Sequence, residues 1–175
     1  MNPLSKCATG PRASPLVIGY VRSVNKTQTK RLALVVEGTN GHAHSILDAL
    51  GRGDPACEVI RKDDGLEALD YLLCRGAYAR RDGAVMPCVT LIDLALPPSD
   101  GLELLREMRA QEQTRLLPVV VFCSGEERPQ VDEVYASGAN SYIRLRPGYE
   151  PFEESIREVA HYWCVVNDPP PTMPR

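Results

Sequence analysis

Asp93 closes an apolar run, Cys88-Val89-Thr90-Leu91-Ile92, and is followed by Leu94-Ala95-Leu96-Pro97 and then Gly101. An apolar stretch of this length bounded by turn residues reads as a buried strand. Open α/β sheets place their chemistry at the carboxyl ends of strands, where this carboxylate falls. A carboxylate there can act as a nucleophile toward a phosphoryl group. Taken alone, the residue could equally cap a loop at a strand end. Glu37 ends a second apolar run, Arg31-Leu32-Ala33-Leu34-Val35-Val36, and is the next carboxylate at a strand terminus.

The elements that would position these carboxylates alternate regularly. Strands are expected at Arg31–Val36, Cys57–Ile60, through Asp93, at Pro118–Phe122 and at Ser141–Leu145. Apolar residues at helical spacing lie between them. These are Ala43, Ile46, Leu47 and Leu50; then Leu66, Leu69, Leu72 and Leu73 behind the acidic pair Asp63-Asp64; then Leu102, Leu105 and Met108; then Val131, Val134 and Tyr135. Phe152, Ile156, Val159, Ala160 and Trp163 form a last stripe, stopped by Asp168-Pro169-Pro170-Pro171 because proline lacks the amide donor and clashes with the preceding turn. Residues 76–87 read as a long, solvated loop. Five strands alternating with five helices predict a flavodoxin-like, doubly wound (βα)5 fold. Its five-stranded parallel sheet is covered on both faces, with strand order 2-1-3-4-5. That order makes the first and third strands neighbours and sets Glu37 beside Asp93.

Composition bounds the function classes. The chain has 175 residues, 43% of them hydrophobic, and a formal net charge of −3. One domain with extra tail is the expectation at this length. The acidic balance gives no reason to expect nucleic-acid binding. No stretch approaches the roughly 18 apolar residues of a membrane span, and the apolar piece Pro15–Val21 is too short and broken for a signal-peptide core. The reading is a cytoplasmic protein. Domain limits are set at 1–30 for a flexible extension, 31–167 for the folded domain and 168–175 for a proline-rich tail. The six cysteines (7, 57, 74, 88, 123 and 164) make no CxxC and no zinc-spaced cluster, so they read as buried, reduced thiols. His42 and His44, two apart, would point to different sides of a helix and share no metal.

From about Arg31 to Asn167 the chain resembles a response-regulator receiver domain of the CheY-like family. Asp93, Pro97 and Gly101 match the family's D-x-x-x-P-x-x-x-G signature. Cys123 lies thirty residues beyond Asp93, and Leu145 twenty-two beyond Cys123. The segment Glu126-Glu127-Arg128 and the ending Tyr149–Phe152 through His161-Tyr162-Trp163 resemble single-domain regulators that accompany bacterial phytochrome histidine kinases. The resemblance implies a two-component, phosphorelay signalling protein rather than an enzyme, with Asp93 as phosphoacceptor. It implies Mg²⁺ held by Glu37, Asp93 and the backbone carbonyl of Ala95. Cys123 and Leu145 stand where the family carries its switch hydroxyl and its lysine, and Tyr142 at its aromatic switch position. The implied partners are a sensor histidine kinase, a bacteriophytochrome among the candidates, and a second copy of the chain. The copy would dock through the face built from the Val131–Tyr135 helix, the fifth strand and the last helix.

The helper residues depart from the pattern. Gly38 replaces a second metal-binding acid, Cys123 offers a weak donor for a hydroxyl, and Leu145 has no charge. Mg²⁺ binding is expected to be weak and phosphorylation impaired. Two readings therefore stand: an impaired phosphoacceptor, and a phosphorylation-independent pseudo-receiver used for dimerisation or partner binding. A remote third, a flavin or nucleotide binder, rests on Gly38-Thr39-Asn40-Gly41, which is neither G-x-G-x-x-G nor a P-loop.

Overall fold

The computed structural model describes residues 31–38, 57–96, 101–123, 131–144 and 152–170. Five strands, β1 (Arg31–Val36), β2 (Cys57–Lys62), β3 (Val89–Asp93), β4 (Val119–Cys123) and β5 (Ser141–Arg144), form one sheet in the order β2-β1-β3-β4-β5. Every pairing is parallel. The expected order and fold class are thus observed. The expected helix over Ala43–Leu50, Leu145 and the segment 124–130 lie outside the described residues.

The period-2 alternation of strand side chains sorts the central strands into two cores. Leu34, Val36, Ile92, Val119 and Val121 face one side. They pack with helices α1 (Gly65–Leu72) and α2 (Gly101–Ala110), through Leu69, Leu72, Leu105 and Met108. Ala33, Val35, Leu91, Val120 and Phe122 face the other. There they meet Ile156 and Ala160 of α4 (Phe152–His161). Apolar faces on both sides explain why β1, β3 and β4 read as unbroken apolar runs, while β2 and β5, at the sheet edges, are only half-buried.

Several expected faces shift. Asp64 is the N-cap of α1, its Oδ1 accepting from the amides of Leu66 at 2.6 Å and Glu67 at 3.0 Å. From that start the buried stripe is Gly65, Ala68, Leu69 and Leu72, and Leu66 is 69% exposed. Of the expected stripe, Leu69 and Leu72 are buried and Leu73 is partly buried, whereas Leu66 faces solvent. Helix α3 (Val131–Ala136) is six residues long and anchored by Val134 alone, leaving Val131 and Tyr135 exposed. β2 runs two residues further than expected, to Lys62.

The loop 76–87 is not simply solvated. Gly76–Tyr78 forms a short 3-10 turn, and the Tyr78 ring meets Tyr71 edge-on at 5.3 Å. Lys62 Nζ donates to Glu67 Oε1 at 3.0 Å and sits 4.4 Å from the Tyr78 ring centroid. Tyr78 donates its hydroxyl to Glu67, and these two donors, Tyr78 first, hold the Glu67 carboxyl below its usual range. Arg81 lies over Tyr71 at 4.1 Å.

The last helix does not end at His161. It continues as a wider π turn, Tyr162–Val166, closed by the Asn167 amide donating to Tyr162 O at 2.7 Å. Asn167 is extended, and its carbonyl accepts from Arg31 Nη1 at 2.6 Å, tying the end of the helix to the start of β1. Trp163 packs half-buried on the second core and Tyr162 is exposed. No helix among the described residues is long and apolar enough to cross a membrane.

Replacing Asp64 with alanine removes the acceptor for two helix-end amides. We expect a loss of about 1 kcal/mol of stability, read as a lower urea midpoint with unchanged slope.

Candidate functional site

Asp93 is the last residue of β3 and is only 5% exposed. The chain turns immediately after it: the Leu94 amide donates to Phe122 O at 2.8 Å, and the Ala95 amide to Asp93 Oδ1 at 3.0 Å. The carboxylate is thus oriented by the backbone that follows it. Gly101, the first residue of α2, packs against the Asp93 main chain. A Cβ there would lie 2.3 Å from the Asp93 carbonyl oxygen and 3.1 Å from Ile92 Cγ2. The Gly101 amide donates to Leu94 O at 3.2 Å. The signature glycine is therefore required by close approach, which sequence spacing alone did not reveal.

Glu37 follows β1, is 2% exposed, and its amide donates to Lys62 O at 3.0 Å. The β1–β3 register aligns Val36 with Ile92, so the next residues in each strand, Glu37 and Asp93, stand level. Neighbouring strands are about 4.8 Å apart. Both residues continue the parity of Val35 and Leu91, which face the same core. Two buried carboxylates in this arrangement repel when both are ionised, and a hard cation relieves that repulsion.

Cys123 ends β4, 5% exposed, one residue beyond Phe122, which pairs with Asp93. Tyr142 lies level with Val121, two steps below the end of the sheet. Its ring packs on the first core and its buried hydroxyl makes no hydrogen bond. Arg144 is level with Cys123 and half-buried. The structure therefore brings Glu37, Asp93 and Cys123 to one edge and sets Tyr142 below it. Leu145, Pro97 and the loop Thr39-Asn40-Gly41 lie outside the described residues. A parallel, doubly wound sheet with two buried acids at its switch point, and a tight turn after the second, defines a receiver-type α/β module.

Comparison with known proteins agrees. The chain is 32% identical over 139 residues to the probable methanogenesis regulatory protein FilR2 of Methanothrix harundinacea, covering 79% of this chain and 87% of that protein. Among solved structures, the phosphorylated cyanobacterial phytochrome response regulator RcpA superposes with a TM-score of 0.72 at 26% identity, over 80% of this chain and 98% of that one. The bacteriophytochrome response regulator RtBRR gives a TM-score of 0.63 at 35% identity, covering 81% and 84%. The Mn²⁺-bound form of response regulator Rcp1, at 24% identity, has the same fold, with a TM-score of 0.71 over 80% and 99%. No family model matches the chain. The chain belongs to the response-regulator receiver family, the signalling proteins of two-component systems.

The donor set suits a hard divalent cation. Carboxylates of Glu37 and Asp93 and a backbone carbonyl at Ala95 would supply three oxygens, and Mg²⁺ completes six with water or phosphate. Gly38 adds none, and no group of three or more His, Cys, Asp or Glu able to hold a metal occurs among the described residues. The fit is to a cation bound by two acids rather than three.

Gly101→Ala forces either the Asp93 turn or α2 to move. We expect a loss of about 1–3 kcal/mol, the usual cost of overpacking, measured by urea denaturation.

Proposed function

We propose that Asp93 is the phosphoacceptor of this receiver and that its phosphorylation is impaired. The observation that supports this reading most is the level, buried pair Glu37 and Asp93, with Asp93 Oδ1 already oriented by the Ala95 amide. In the reaction a carboxylate oxygen of Asp93 attacks the phosphorus of a phosphohistidine on a sensor kinase. The P–N bond breaks, the imidazole leaves, and an acyl phosphate forms on Asp93. A divalent cation held by Glu37, Asp93 and the Ala95 carbonyl would offset charge on the transferring group.

Phosphoryl transfer depends on positioning and charge neutralisation, and the residues at 38, 123 and 145 reduce the second. Each hydrogen bond to a charged group contributes about 1.5–3 kcal/mol, and each 1.4 kcal/mol is about tenfold in rate. A glycine at 38, a thiol at 123 and a leucine at 145 together slow the reaction by several powers of ten. The family likeness to RtBRR supports a sensor histidine kinase of the bacteriophytochrome kind as donor. We assign 31–167 to the receiver, 1–30 to an extension and 168–175 to a tail. Val131, Tyr135 and Tyr162, all exposed, favour a second use of the α3–β5–α4 face, as a docking surface for a partner or a second copy. That use needs no phosphoryl group.

Incubation with a small-molecule phosphodonor and Mg²⁺, followed by intact mass, tests the chemistry. We expect slow gain of one phosphoryl group by the wild type, none by Asp93→Asn, and fast gain by a Gly38→Asp, Cys123→Thr, Leu145→Lys triple variant. Modification of Asp93→Asn at the wild-type rate would refute the assignment. Mn²⁺ titration by calorimetry tests the metal site: Gly38→Asp should tighten binding by about tenfold, the equivalent of about 1.4 kcal/mol, and Glu37→Gln should weaken it.

A further inference from the structure

Three cysteines far apart in the chain converge at the end of the sheet opposite Asp93. Cys57 opens β2, Cys88 immediately precedes β3, and Cys164 sits in the middle of the π turn. Cys164 Sγ lies 3.0 Å from Cys57 Sγ and 3.4 Å from Cys88 Sγ. All three are buried, in the second core among Ala33, Val89 and Ala160. Five residues of strand, about 16 Å, separate Cys88 from Asp93. The pairs are 107 and 76 residues apart in sequence, so no spacing rule could have linked them. The π turn contributes directly: Cys164 continues the buried stripe of Ile156 and Ala160 onto the sheet.

The contacts among the three side chains are sulfur to sulfur, at 3.0 and 3.4 Å. We propose that Cys57, Cys88 and Cys164 form an oxidisable thiol cluster, in which a small peroxide converts two of the thiols into one disulfide on Cys164. Cys88 is the first nucleophile. Its thiol is held below the usual range by the Cys164 hydrogen bond, against burial, with the Arg31 charge adding to the effect. The same contacts, with Cys57 first, push the Cys164 thiol up.

The steps balance without another reactant. The Cys88 thiolate attacks one oxygen of hydrogen peroxide; an S–O bond forms, the O–O bond breaks, and the departing hydroxide is protonated to water. The Cys164 sulfur then attacks the Cys88 sulfur. An S–S bond forms, the S–O bond breaks, and a second water leaves with the Cys164 proton. Two thiols have lost two electrons and the peroxide has become two waters. Cys57, at 3.0 Å from Cys164, can next displace Cys88 by thiol–disulfide exchange, which follows ordinary in-line attack on a disulfide sulfur. Either product staples the terminal turn to the start of β2 or β3.

The full-length, fully reduced protein is treated with hydrogen peroxide, quenched, denatured, alkylated with N-ethylmaleimide and weighed. The chain has six cysteines. Six alkylations are expected before treatment and four after, with non-reducing peptide maps placing the bridge on Cys164. Cys164→Ser should keep its five thiols at the same dose, and Cys57→Ser should yield only the Cys88–Cys164 bridge. The oxidised wild type should melt at least about 5 °C higher, because a cross-link closing so long a loop restricts the unfolded chain, and dithiothreitol should reverse the shift. Retention of all six thiols, a bridge on Cys7, Cys74 or Cys123, or an unchanged melting temperature would overturn the proposal. The map of the wild type decides this even where a serine variant folds poorly.

Discussion

Much of the described structure depends on the approach of Gly101 to the Asp93 carbonyl, where a single methyl group would stand at 2.3 Å. This contact sets helix α2 directly against the end of β3, and with it the turn that orients the Asp93 carboxylate. Leu105 and Met108, further along the same helix, are buried in the first core. At its far end Arg109 donates to Leu117 O at 2.9 Å and to Gly138 O at 2.8–3.0 Å. One helix therefore links the candidate site to the connections on both sides of β4. Rigidity at Asp93 is a property of packing as much as of local turn chemistry.

The sheet performs the remaining positioning. Parallel register carries Glu37 level with Asp93 and Cys123 one step beyond Phe122. Among the described residues the backbone frame of a receiver is present, whereas the sequence has Gly38, Cys123 and Leu145 at the positions where the resemblance implies an acid, a hydroxyl and a lysine. Frame and charge are separable because they draw on different residues. The frame comes from buried Val, Leu and Ile in the strands and from Gly101. The charge comes from a few side chains at strand ends, and substituting those leaves the core intact. Changes at those strand ends can therefore alter the chemistry of a receiver without disturbing its fold.

Much of this was legible in the residues. The continuous apolar runs marked the strands, and Asp93, Pro97 and Gly101 marked the family, because buried parallel strands and a tight turn at a strand end admit few residue types. Helix faces were less legible. Leu66 looked like core but lies in solvent, since the Asp64 cap sets the helix phase. Val131 and Tyr135 looked like core on a helix too short to bury them. The loop at 76–87 looked solvated, yet Tyr78, Lys62 and Glu67 staple it, an arrangement that needs β2 to extend to Lys62.

By itself, the order of residues determined the fold class and the strand order and singled out Glu37 and Asp93 at strand ends, because each rests on local pattern and fixed spacing along the chain. Only the tertiary structure decided why Gly101 must be glycine and which sulfur atoms meet. A close approach is a property of two elements once packed. Cys57, Cys88 and Cys164 share no local pattern, and a wide turn at the end of the last helix, laid back across the sheet, is what puts the Cys164 sulfur within 3.4 Å of the other two.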